Sequence, residues 1–364
     1  MRILQLGKFY PIRGGVEKVM WDLTRGLGAA GVDCDMLCAS FEPQTIELNA
    51  HARCICLKAW KKVAATMICP SMPGWLRRHA REYDIVHVHH PDPMACLALR
   101  LSGFKGKVIL HWHSDILKQK GLLTLYKPLQ GWLIRRADRI VGTTPVYVAH
   151  SEALKDVQGK VTWLPIGIED NIADSALRKE NNGQITVFSL GRLVEYKGFR
   201  YLVDAARYLP GDYRIVIGGT GPLEADLRMR IAELPEGCAS VELAGYLSDE
   251  DVRRWYNECD LFCLSSIMKT EAFAIVQIEA MSCGKPVVAT HIPGSGVDWV
   301  NSDGESGLNV SPCDPSALAD AILKISAGTS LQEYGSRARA RYEALFTYDV
   351  MVDCCRRIYD EVEL

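Results

Sequence analysis

An α/β architecture of two doubly wound domains is predicted by the length of the chain, by short apolar runs alternating with helix-like stretches, and by a restart of that alternation near the midpoint. A chain of 364 residues exceeds one ordinary core, and division into two domains follows. Each apolar run is short and ends in polar or glycine punctuation, the mark of parallel strands buried on both faces. Hydrophobic content of 48% with 24% charged residues describes a globular protein. No apolar run reaches about 18 residues, so no membrane span is expected.

The first series opens with a strand from Ile3 to Leu6. Gly14-Gly15 starts a helix that runs through Leu27 and is ended by Gly28 and Gly31. Cys34 to Cys38 reads as the next strand, and Ile85 to Val88, Val108 to His111, Arg139 to Gly142 and Val161 to Pro165 continue the series. A polar stretch, Arg178 to Gly183, interrupts it. The second series comprises Ile185 to Leu190, Tyr213 to Ile217, Val241 to Ala244, Leu261 to Leu264 and Pro286 to Thr290, with amphipathic helices such as Phe199 to Leu209 and Asp249 to Cys259 between them. Two βα series imply two doubly wound domains with a cleft between them. The linker is expected within 168–183. Tyr348 to Val362 is a helix candidate that could pack back across either domain.

The N-terminus, Met1-Arg-Ile-Leu-Gln-Leu-Gly, goes straight into a strand and lacks the charged-then-apolar order of a signal peptide. Thirteen cysteines are scattered without paired CxxC blocks, which fits a reducing cytoplasm better than a disulfide framework. Cys54-Ile-Cys56 and Cys354-Cys355 read as core or surface thiols. The net charge of −2 hides an asymmetry: residues 1–170 carry 23 Lys+Arg against 15 Asp+Glu, or +8, and the remainder 19 against 29, or −10. A basic first half is suited to an anionic surface or ligand, the plain alternative being chance plus solubility.

Chemistry concentrates just beyond the strands. In Lys269 to Pro286, KTEAFAIVQIEAMSCGKP, two glutamates stand among apolar residues. Glu271 follows the strand Leu261 to Leu264, at the carboxyl end where open α/β sheets bind ligands. Glu279 lies about one turn into the next helix, whose free N–H groups near Phe273 to Val276 attract a phosphate. A carboxylate there can accept from vicinal ribose hydroxyls. The plain alternative is a helix-end charge plus one satisfied buried glutamate. Gly191-Arg-Leu-Val-Glu-Tyr-Lys-Gly198 follows the strand Ile185 to Leu190, and Arg192 with Lys197 suits a diphosphate. Gly14-Gly15 lets a ligand approach the backbone closely, but matches neither GxGxxG nor GxxxxGK[ST], which weakens nicotinamide and ATP readings. His113, in His111-Trp-His-Ser-Asp115, could orient a substrate hydroxyl. His111 and His113 are disfavoured as a metal pair on the expectation that they alternate across an extended strand. His87, His89 and His90 read as packed or loop histidines. Asp33-Cys-Asp35 straddles a strand start and reads as structural, so no metal site is expected.

Together these residues resemble the retaining glycosyltransferases of family 4, which have the GT-B fold of two Rossmann-like domains. The resemblance spans essentially the whole chain. It rests on the Glu-x7-Glu motif (Glu271, Glu279), Arg192 with Lys197, Gly219-Thr-Gly221-Pro222 and Pro165-Ile-Gly167. The segments His111 to Asp115 and Gly294 to Val300 look like a bacterial branch that includes mannosyltransferases of surface-polysaccharide assembly. The resemblance implies an N-terminal acceptor-binding domain over 1–172, a C-terminal nucleotide-sugar domain over 173–345 and a final helix over 346–364.

By the same resemblance Arg192 and Lys197 bind the donor diphosphate, Glu279 holds the ribose, and Glu271 faces the transferred sugar and its phosphate. The backbone of Phe273, Ala274, Ile275 and Val276 contacts the donor, Gly14 and Gly15 lie near the diphosphate, His113 sits by the reacting sugar, and Tyr246 and Leu247 lie beside the nucleobase. The family usually has glycine where Ala274 stands. If that position requires positive φ or a close approach, the methyl shifts the sugar or tunes donor choice. Cations replacing a metal at the leaving group imply metal-independent transfer with retention and no cofactor.

The expected partners are a nucleotide-sugar donor, GDP-mannose ahead of UDP-sugars, and a saccharide or lipid-linked acceptor, with no nucleic acid. Basic residues combine with aromatic ones at Lys58 to Val63, Trp75 to Arg78 and Lys118 to Lys127. These could contact anionic lipid, and the matching expectation is a cytoplasmic protein peripheral to the inner face of the membrane; solvated amphipathic helices are the alternative. Rival readings are a nucleotide-sugar epimerase, a phosphorylase, a non-catalytic nucleotide-sugar-binding protein and, against the missing fingerprint, a dehydrogenase.

Overall fold

β1 (Arg2–Phe9) runs through the middle of an eight-stranded sheet, with all side chains from Ile3 to Gly7 buried. In this computed structural model the described residues are 1–12, 14–63, 66–116, 120–177 and 183–363, with side chains at 120–123 and 125 left aside. The polar stretch over 178–182 and Lys118 of the third basic segment lie outside them. Around β1 are β2 (Asp33–Ser40), β3 (Gln44–Asn49), β4 (Ala52–Lys58), β7 (Ile85–His90), β8 (Lys107–Trp112), β9 (Arg139–Gly142) and β10 (Val161–Trp163). Their order is β10-β9-β8-β7-β1-β2-β4-β3. A separate antiparallel hairpin joins β5 (Lys61–Val63) to β6 (Thr66–Ile68). Every neighbour in the large sheet is parallel except the edge strand β3, which is antiparallel to β4. The chain leaves β1 to one side and returns to the other at β7, so the switch point lies at their carboxyl ends.

The second unit holds six parallel strands: β11 (Ile185–Leu190), β12 (Tyr213–Gly218), β13 (Ser240–Gly245), β14 (Leu261–Leu264), β15 (Val287–Thr290) and β16 (Gly307–Val310), ordered β13-β12-β11-β14-β15-β16. Its switch point lies between β11 and β14. Both faces are covered by helices, and Val187, Ile215, Ile217, Leu261 and Val288 are buried among Leu202, Leu318 and Ile322.

The units comprise residues 1–166 with 348–364, and 167–347. The division therefore falls six residues before the expected 172/173 boundary. The final helix (Tyr348–Glu363) joins the first unit, burying Met351, Val352, Cys355, Ile358, Tyr359 and Val362, an amphipathic spacing. Its Tyr348 hydroxyl donates to the Asp22 carbonyl at 2.9 Å. A Cβ on Gly26 would run into Val352 and Tyr348, so glycine there permits the close approach of two helices.

Most expected strands differ from the observed ones by a residue or two. β3, β4, the β5–β6 hairpin and β16 were not anticipated, and the stretch read as one helix over Phe199 to Leu209 is a helix to Ala205 followed by a tighter turn over Ala206–Tyr208. No helix among the described residues is long and apolar enough to cross a membrane.

Candidate active site

Two loops leave the switch point of the second unit, one after β11 and one after β14. The first carries Lys197 on a short turn (Glu195–Lys197) closed by Gly198 at φ 65°. A Cβ on Gly198 would collide with the Ser265 carbonyl oxygen, so only glycine lets the first loop lie against the second. Ser265 Oγ also donates to the Lys197 carbonyl at 3.0 Å. The loops join through their charges: Lys197 Nζ lies 2.5 Å from Glu271 Oε2, and Ser266 Oγ donates to the same oxygen at 2.8 Å. Both partners are buried, at 9% and 8% exposure, and each satisfies the other. Glu271 is further held by its carbonyl, which accepts from Ser295 Oγ. Its Oε1 has no partner among the described residues and is not sealed from solvent.

Glu279 stands on the helix Ile275–Ser282, whose first N–H groups receive no side-chain cap. Such uncapped donors form an anion site. The helix begins from Ala274 at φ 62°, ψ 78°, so the backbone at the family's usual glycine does take positive φ. The loop before it is braced by Gln277 Nε2, which donates to the Phe273 carbonyl at 3.1 Å. Phe273 itself turns inward against Phe346, leaving only its backbone at the loop. Ile275 and Val276 are half-buried. Glu279 accepts from the fully buried Tyr256 hydroxyl at 2.6 Å. Burial, reinforced by Glu279, pushes the Tyr256 phenol well up, so it remains a donor.

Arg192 is exposed and has no ion pair among the described residues, which leaves its fork free for an anion. Tyr246 is 82% exposed just past β13. Leu247 folds over Gly218, where a Cβ would meet its side chain. Lys197, Glu271, Glu279 and the helix start thus gather at one switch point. Ser266, from the same loop as Glu271, and Ser295 and Tyr256, from other elements, support them with no local pattern to announce them.

In the first unit Gly14 caps the helix Gly15–Ala29 with no side-chain bond. His113 follows β8, in a segment fastened by Asp115, which accepts from Trp112 Nε1 at 2.9 Å and Ser151 Oγ at 2.7 Å. Gln5, His87, His89, His111 and His113 occupy one face of three adjacent strands, Gln5 beside His87 and His89 beside His111 in register. The expectation that His111 and His113 alternate is overturned. Residues two apart share a strand face, and these rings stack with centroids 3.9 Å apart. Burial pushes the His87, His89, His90 and His113 pKa well down, and His111 to about 3, so all five are neutral at pH 7.

Ring nitrogens of His87, His89 and His111 come within 4.8 Å of one another. Near-parallel stacking of His87 on His89 and His111, at 19° and 18°, keeps their lone pairs from converging on an ion, and both nitrogens of His89 are engaged elsewhere. Both nitrogens of His111 are buried without a partner among the described residues. Cys38, Cys54 and Cys56 also cluster, with sulfurs 3.6 to 3.8 Å apart. They lie among Met20 and Met36 and pack as small apolar groups.

Two doubly wound sheets, and a switch point in the second furnished with a cation, a carboxylate and a helix N-terminus, suit the binding of an anionic ligand. Glycosyl transferases group 1 matches residues 171–342, and Glycosyltransferase Family 4 matches 13–171. The chain is 31% identical to O-antigen chain mannosyltransferase C of Escherichia coli, over 99% of this chain and 98% of that one. It is also 31% identical to D-rhamnosyltransferase WbpZ of Pseudomonas aeruginosa, over 95% and 92%. Among solved structures, sucrose-phosphate synthase from Thermosynechococcus elongatus superposes with a TM-score of 0.77 at 22% identity, over 100% of this chain and 99% of that one. HepE of Anabaena in complex with UDP gives 0.77 at 18%, over 99% and 100%. The chain belongs to glycosyltransferase family 4 and has the GT-B fold; it is a glycosyltransferase.

Proposed function

We propose that the enzyme moves a hexose of manno configuration, with GDP-mannose as the foremost donor, to a saccharide or lipid-linked saccharide in surface-polysaccharide synthesis. Transfer proceeds with retention and without a metal or other cofactor. The observation that carries this reading is the convergence of Lys197, Glu271 and an uncapped helix start at one switch point. The names of the two relatives at 31% identity supply the sugar. D-Rhamnose is 6-deoxymannose, so both names describe a sugar with an axial 2-hydroxyl.

Cleavage of the sugar–phosphate bond leaves negative charge on the diphosphate and oxocarbenium character on the sugar. Arg192, Lys197 and the Ile275 and Val276 N–H groups stabilise the first. Glu271 Oε1 is available to the sugar, and Glu279 accepts from the ribose while Tyr256 holds it. His113 serves the reacting sugar, Gly14 and Gly15 the diphosphate, and Tyr246 with Leu247 the nucleobase. At the surface, Trp60 is 73% exposed beside exposed Lys61 and Lys62. This edge leans on anionic lipid, with each basic residue contributing about 1 kcal/mol. Sedimentation with anionic vesicles at low salt measures that contact, and its absence removes the membrane element.

The transfer reading is tested by incubating the enzyme with GDP-mannose or UDP-glucose, with and without acceptor and EDTA. Nucleoside diphosphate release and the anomeric configuration of the product are then measured. Acceptor-dependent, EDTA-resistant GDP release with an α-linked product supports it. Inversion, or turnover of UDP-glucose alone, replaces it.

A further inference from the structure

A continuous chain of hydrogen bonds runs behind His113. Its Nε2 lies 2.9 Å from His89 Nδ1, and His89 Nε2 lies 2.7 Å from Gln5 Oε1. Gln5 Nε2 donates to the Tyr359 hydroxyl at 2.8 Å, and that hydroxyl lies 2.7 Å from His87 Nδ1. Gln5, His89 and Tyr359 are fully buried, so the order of donors and acceptors is set from within.

The polarity follows from the amide. Its oxygen can only accept, so His89 carries its proton on Nε2. A neutral imidazole then has a bare Nδ1, which can only accept from His113 Nε2–H. His113 is left with a lone pair on Nδ1, a nitrogen that has no partner among the described residues yet is not sealed from solvent. Turning the amide over would reverse every bond and put a proton at that position. The Gln5 nitrogen already faces the Tyr359 hydroxyl and, at 3.8 Å, the Cys34 sulfur. The final helix thereby supplies, through Tyr359, the partner of the amide nitrogen.

We propose that Gln5, acting through His89, is a positioning residue that holds His113 in its Nε2–H tautomer and so presents an Nδ1 lone pair to a hydroxyl of the bound sugar. This rests on the reading that His113 serves the reacting sugar. A fixed acceptor both orients the sugar and rejects a group that cannot donate.

The test uses the full chain labelled with 15N-histidine, long-range proton–nitrogen correlation spectra near neutral pH, and single histidine replacements for assignment. In the wild type His113 Nδ1 is expected at the unprotonated nitrogen shift and Nε2 at the protonated one. Gln5→Met, similar in length but without the acceptor, should draw the two shifts toward an average and lower kcat/KM by up to about tenfold, the scale of one lost hydrogen bond. Tyr359→Phe, which removes the partner of the amide nitrogen, should act in the same direction and serves if Gln5→Met fails to fold. Unchanged signals from His51, His79, His150 and His291 report an intact fold. A proton on His113 Nδ1 in the wild type overturns the relay without any variant, as does a tautomer that neither substitution moves. His113→Ala separates the two layers: full activity in that variant removes the underlying reading of His113, whereas lost activity with an unmoved tautomer condemns only the relay.

Discussion

Ala274 holds φ 62° at the start of the helix carrying Glu279, where its Cβ crowds the backbone. Glycine would relieve about 1 kcal/mol of that crowding, offset in part by the freedom it returns to the unfolded chain. Ala274→Gly should therefore raise the melting temperature slightly and alter donor kinetics. Unchanged donor preference and turnover would show that the methyl tunes nothing. Lys197 and Arg192 make a sharper contrast. Lys197→Ala leaves Glu271 buried without its cation, so a loss of about 3 kcal/mol in denaturant stability should accompany a fall of about 10²–10³-fold in kcat. Arg192 is exposed and unpaired among the described residues, so Arg192→Ala should reproduce the kinetic loss with stability changed by no more than about 0.5 kcal/mol. Normal turnover in either variant would contradict the leaving-group role. Glu271, Glu279, Arg192 and Lys197 were legible because carboxylates in an apolar stretch, and cations between glycines, stand out in one dimension. Tyr256, Ser266 and Ser295 were not, since an ordinary tyrosine or serine gains meaning only from what folds against it.

Among the elements, the turn Glu195–Lys197 depends on a neighbour remote in sequence. Gly198 combines φ 65° with a backbone carbonyl, that of Ser265, where its Cβ would go. A carbonyl inside a packed loop cannot step aside as a flexible side chain can. Gly198→Ala should thus cost more than about 2 kcal/mol in a denaturation experiment and displace Lys197, lowering activity with it. A variant with wild-type midpoint and turnover would mean that the loops move apart freely. The same dependence on partners explains which strands could be read in advance. β11 and β14 are buried along most of their length and announce themselves as apolar runs. β3 is a half-exposed edge, QTIELN, and β4 alternates buried with half-buried positions. Their pairing supplies what their composition does not. The period-two histidines of β7 and β8 were visible, but the shared face they imply was misassigned.

Over the whole molecule, the restart of the βα pattern disclosed two units, while the return of the final helix to the first depended on packing against Gly26 and Gln5 that no local pattern encodes. The histidines are divided just as unevenly. Eight of nine lie in the first unit, five of them buried, and the second has only the exposed His291. Each buried histidine has a folded pKa below its unfolded value near 6.5. As pH falls below about 6.5 the unfolded chain takes up protons that the folded unit refuses, at up to about 1.4 kcal/mol per pH unit for each group. The stability is complete above that pH and drains away between it and the folded values. Asp92 acts in the opposite sense, because burial raises its pKa and its protonation favours the folded unit, but it is one group against five. Acidification from about pH 8 to about pH 5 should therefore open the first unit before the second. Hydrogen exchange read by mass spectrometry resolves the two: peptides from β7, β8 and the final helix should lose protection while those from β11 and β14 keep theirs. Simultaneous loss, or protection of the first unit that is indifferent to pH across this range, would show that the buried histidines are compensated by groups acting in the opposite direction.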